Sequence, residues 1–120
     1  MGLTPNQLYN GIDHLYESVK IIDKIGNDLY NGVIVSHVST EDIKEGYLQC
    51  NKSRLFIQDQ DELLEPALGN WYSVFCMLTH LSETRFTNIG IRSILRELND
   101  AKMAIGEVIE EMENLLSMMR

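Results

Sequence analysis

The residues of this 120-residue chain best placed to do chemistry are carboxylates. Asp61-Glu62-Leu63-Leu64-Glu65 sets acids at i, i+1 and i+4, and Glu97-Leu98-Asn99-Asp100 sets them at i and i+3. On helices such spacings bring oxygens onto one face, where they suit a divalent cation such as Mg²⁺ and, with it, nucleotide hydrolysis. Glu107, Glu110 and Glu111 offer further oxygens. Against this reading, Pro66 directly follows the first group and is expected to break the helix that would carry it. No set of Lys or Arg is obviously aimed at phosphates. A metal-dependent nucleotide hydrolase using Asp61, Glu62, Glu97 and Asp100 is therefore the alternative reading, and no metal or cofactor is assigned.

The histidines, His14, His37 and His80, stand apart from one another. His14 and His80 each have a Glu three residues later, the reverse of the order found in helical di-metal sites, and are read as exposed helix-surface groups. Cys76 lies one helical turn before His80, but on an apolar segment where a thiolate is disfavoured. Cys50 and Cys76 lack metal-site or redox-motif spacing and read as buried free thiols in a reducing compartment.

What must position these groups is helical. From Ile91 to Met119 apolar residues recur at a/d spacing: Ile91, Ile94, Leu98, Ala101, Ile105, Val108, Met112, Leu115 and Met119. Leu95, Ile109 and Leu116 widen that stripe beyond a two-stranded seam, as bundle packing requires. A first helix is expected over 5–30, with Thr4 as N-cap, Pro5 at the first position, and Leu8, Ile12, Leu15, Val19, Ile22, Ile25 and Leu29 as its stripe. Residues 33–38 are β-branched and read as an extended connector. A second helix with a ragged stripe begins at Ser39-Thr40-Glu41-Asp42. Leu63-Leu64 with Pro66 predicts a short turn that stops near Gly69-Asn70, after which a short, deeply buried helix runs from Trp71 to about Glu83. The fold expected is all-α: one helical domain over 1–120, a four-helix bundle with long first and last helices.

A helix over residues 88–119 is about 48 Å long, whereas a globule of this size is roughly 35 Å across. Either the bundle is elongated, with the first helix beside the last, or the overhang packs on a second copy or a partner. Within the last helix, Arg85, Arg92, Arg96 and Lys102 gather toward the N-terminal half and Glu107, Glu110, Glu111 and Glu113 toward the C-terminal half, opposed to the helix dipole. An antiparallel homodimer through this helix would relieve that order.

The net charge of −8, from 18 acidic against 10 basic residues, disfavours nucleic-acid and anionic-membrane binding and complements a basic protein. The N-terminal stretch has no secretory pattern, and no long uninterrupted apolar run is present, so a cytoplasmic protein is expected. In size and charge the chain resembles secretion chaperones and small antagonists such as immunity proteins or phage-encoded inhibitors. The function expected is a non-enzymatic acidic protein-binding module. Its contacts are assigned to Glu107, Glu110, Glu111 and Glu113, to Asp59, Asp61 and Glu62, and to the apolar Met103, Met118 and Met119. A self-assembling structural subunit is the remaining alternative.

Overall fold

A computed structural model describes residues 4–31, 40–57, 62–81 and 88–119. The helices are α1 (Pro5–Tyr30), α2 (Thr40–Lys52), the single turn α3 (Arg54–Ile57), α4 (Glu65–Leu81) and α5 (Asn88–Met118). No strand occurs among the described residues, and the fold is an all-α bundle. The 33–38 connector, like Asp59 and Asp61, lies outside the described residues.

α1 begins as its sequence dictates. Thr4 Oγ1 accepts from the Gln7 amide at 3.2 Å, and Gln7 Oε1 accepts from the Thr4 amide at 2.9 Å. This reciprocal box satisfies two donors that a helix start leaves open, and Pro5 at the next position lacks the donor that would need a partner.

Cross-helix links fix the topology. Tyr16 reaches Glu113 and Asp23 reaches Lys102, so α1 and α5 run antiparallel. Ser18 reaches Gly46 and Lys24 reaches Asp42, so α1 and α2 are antiparallel as well. Asn70 donates to Glu97 at 2.7 Å, and Leu63 lies by Val108, which makes α4 and α5 the last antiparallel pair. With α2 against α4, the four long helices form an up-down-up-down ring.

The ring is elongated, 52 × 22 × 19 Å, and α1 lies alongside most of α5. The long last helix is thus accommodated within the chain. Leu116 is buried beside Tyr9 and Ile12, whereas Met118 and Met119 stay exposed at the tip. The predicted stripes form the core: Leu8, Ile12, Leu15, Ile22, Ile25 and Leu29 from α1, with Ile94, Leu98, Ala101, Ile105, Val108, Ile109, Met112 and Leu116 from α5.

The middle of the chain departs from expectation. Pro66 does not end a helix. It is the second residue of α4, preceded by a turn of 3₁₀-helix over 62–64, and in a first turn a proline's missing donor has no partner to lose. Gly69 and Asn70 therefore lie inside α4, which starts six residues before Trp71. Nor is α4 buried all round. Ala67, Leu68, Trp71 and Val74 face inward, while Tyr72 is 64% exposed, because a helix in a four-membered ring keeps one side open to solvent.

Candidate interaction surfaces

The best-ordered polar arrangement in the interior is structural. Ser18 on α1 is fully buried and donates to the Gly46 carbonyl of α2 at 2.9 Å, while the Trp71 indole Nε1 of α4 donates to Ser18 Oγ at 3.0 Å. Three helices thus meet at one hydroxyl with both polar hydrogens paired. The indole lies flat over Gly46, where an added Cβ would run into Cη2, Cζ2 and Cζ3 of the ring. Only glycine admits this approach. Sequence reading placed Trp71 in the core but missed Ser18 and Gly46, whose partners lie 28 to 53 residues away along the chain.

A second polar cluster surrounds His14. It is half-buried rather than exposed: Nδ1 donates to Gln49 Oε1 at 2.7 Å, Gln49 Nε2 donates to Glu45, and the ring stacks on Phe56 with centroids 5.7 Å apart. Arg54, half-buried, reaches Asn51 at 3.5 Å and Glu65 at 3.8 Å, joining α3 to the first turn of α4. Cys50 is buried as expected, and burial pushes its thiol up to about 12, slightly opposed by the nearby Arg54 guanidinium. Cys76 is only half-buried.

The carboxylates separate. Glu62 is exposed in the 3₁₀ turn, Glu97 accepts from Asn70, and Asp100 is exposed on α5. Among the described residues, no three His, Cys, Asp or Glu side chains are grouped so as to hold a metal ion.

Two surfaces are left as candidates. One is the outer half of α5. Glu107 and Glu111 border Leu63 and Val108 on the α4 side, whereas Glu110 and Glu113 line a shallow groove with Tyr16, Val19 and Lys102 on the α1 side. Helical geometry sets Met103, 61% exposed, between the lines of Glu107 and Glu110. The Tyr16 hydroxyl donates to Glu113 at 3.1 Å, and this bond raises the phenol's pKa, with smaller contributions from burial and from the carboxylate charge. Lys102 is drawn toward α1 by Asp23 at 2.7 Å, so part of the charge order on α5 is met inside the chain. Among the described residues, Glu107, Glu110 and Glu111 have no cationic partner. The other surface is an apolar groove of about 350 Å³ between α2 and α4, lined by Ile43, Tyr47, Leu48, Trp71, Tyr72 and Phe75, with Lys44 at its rim. Sequence reading missed this groove, although one signal was available: no Asp, Glu, Lys or Arg occurs from Pro66 to Leu81.

The chain matches no protein family, no curated protein and no solved structure. No described helix is long and apolar enough to cross a membrane.

Proposed function

We propose that this chain is a non-enzymatic protein-binding module, of the adaptor, chaperone or antagonist kind, that engages a basic protein partner through the outer face of α5. The observation that carries this reading is the set Glu107, Glu110 and Glu111, exposed around Met103 and without a cation of the chain to neutralise them. Unpaired carboxylates on a rigid helix steer a cationic surface during encounter, and an exposed methionine among them supplies adaptable apolar contact once it docks. The regular core stripe beneath keeps these side chains at fixed spacing. Met118 and Met119 extend the apolar contact at the tip of the same helix, and Glu113 flanks it.

The test is affinity capture of the tagged chain from its native lysate at low and high salt, beside a Glu110→Lys/Glu111→Lys variant. A stoichiometric basic protein that is released by salt and lost with the variant is the expected result. Capture indifferent to both salt and charge reversal would overturn the acidic-face reading. Thermal stabilisation by Mg²⁺ with a nucleotide would instead favour hydrolase chemistry, since a ligand at 100 times its Kd adds about 2.7 kcal/mol.

A further inference from the structure

We infer that a second copy of this chain covers the apolar groove between α2 and α4, forming a two-fold dimer in which Tyr72 of each protomer seats in the groove of the other. Charge settles the location. The chain carries −8, and the exposed sides of α1, α2 and α5 bear charged residues along their length. α4 alone has none from Pro66 to Leu81. Lys44 at the groove's rim is neutralised by Glu41 at 3.7 Å. Two bodies of the same net charge approach with least repulsion through the one face that is neutral, and burying that face leaves no charge unpaired.

Shape and area agree. Tyr72 stands 64% exposed on the groove's edge, beside Leu48 at 42% and Tyr47 at 38%. A residue that borders a groove on its own protomer can enter the same groove of a two-fold partner, because in an isologous contact each patch meets its own copy. The chain exposes 7470 Å², against about 6,600 Å² for a monomeric globule of its mass. The surplus is on the order of 800 Å², the area one partner contributes to a standard interface. An elongated body exposes more than a sphere, so the area sets the scale of the contact and the charge pattern sets its place. This contact leaves the outer face of α5 free and does not depend on that face binding a partner.

Sedimentation equilibrium on the full chain, from low micromolar to millimolar protein, tests the inference. Wild type is expected at twice 13.8 kDa at the upper end. Tyr72→Glu and Leu48→Glu, both at exposed positions, are expected to raise the dimer Kd by at least about tenfold while circular dichroism and thermal midpoint stay near wild type. Met103→Glu, on α5, is expected to leave the Kd unchanged. A monomer throughout the range would overturn the inference. So would a dimer that survives both groove variants and dissociates with Met103→Glu, which would place the contact on α5.

Discussion

Around Trp71 three helices converge on one side chain, whereas along the α1–α5 seam two helices share repeated layers of medium-sized apolar groups with polar links only at the rim. At the first place the indole rests against a glycine that admits no Cβ, and its nitrogen is satisfied by a buried serine. At the second, leucines, isoleucines, a valine and a methionine interlock over many turns, and the polar links, Tyr16–Glu113 and Asp23–Lys102, lie in solvent. A contact concentrated in one close fit tolerates no change of shape, while one spread over many layers tolerates change at its margin. The tolerant side also carries the exposed carboxylates, so charges on α5 are free to be set by a partner rather than by the fold.

The largest expected effect falls at the concentrated contact. Trp71→Ala should destabilise the chain by about 3–5 kcal/mol in denaturant unfolding, through lost burial and an unfilled cavity. Gly46→Ala alone should cost about 1–3 kcal/mol, because the added methyl collides with the ring. Combined with Trp71→Ala, the same Gly46→Ala change should be neutral or stabilising by up to about 1 kcal/mol, since alanine favours the helix once the ring is gone. That reversal of sign is the measurement that matters. Additive losses would mean that the ring and the glycine do not constrain each other, and the comparison would collapse.

These two regions also differ in how far they can be read from sequence. The α1 and α5 stripes repeat at three- and four-residue steps, so most of their core positions follow from periodicity, and Thr4, Pro5 and Gln7 announce where α1 begins. The junction at Trp71 has no local signal, because Ser18, Gly46 and Trp71 become neighbours only after three helices pack. Pro66 misled for a related reason: a proline stops a helix or starts one depending on the residues around it, and the Leu63-Leu64 pair before it read as a turn on its own. The acidic face of α5 was legible from helical spacing. The α2–α4 groove needed the relative placement of two helices, and only the charge-free run of α4 hinted at it.

Alkaline pH should sharpen the comparison by loading the α2 side alone. Cys50 has its pKa pushed up to about 12 by burial, from an ordinary value of 9.0. The folded state therefore holds the thiol's proton where the unfolded chain has released it. The stability this contributes is complete below pH 9 and is lost as pH rises toward the folded value. Between pH 9 and 11 the loss should be about 2–3 kcal/mol, close to the one-proton limit of 1.4 kcal/mol per pH unit. Cys50→Ala, which lacks the group, should show a correspondingly shallower decline when both proteins are unfolded in urea across this range. Equal slopes would mean that the thiol is not sealed in the native state.

The smallest effect is expected at the seam's rim, and its smallness is informative. Lys102 and Asp23 are 2.7 Å apart but each side chain is about half exposed, so water already screens the pair. Exposed pairs of this kind contribute about 0–1 kcal/mol, less as salt rises. Tyr16→Phe removes the hydrogen bond to Glu113 and with it the shift that holds the phenol protonated above its usual range, a contribution complete below pH 10 and lost at higher pH. Near neutral pH, Lys102→Ala and Tyr16→Phe should each change unfolding stability by no more than about 1 kcal/mol, and together by roughly the sum, since the two links lie about seven residues, two turns, apart along α1. If either change destabilised the chain as much as Gly46→Ala, the α1–α5 seam would be held by its polar margin, and altering the charges of α5 could not be separated from altering the fold. A small, additive and salt-sensitive response instead identifies the margin as a surface whose charge can vary while the apolar layers beneath keep α5 in place.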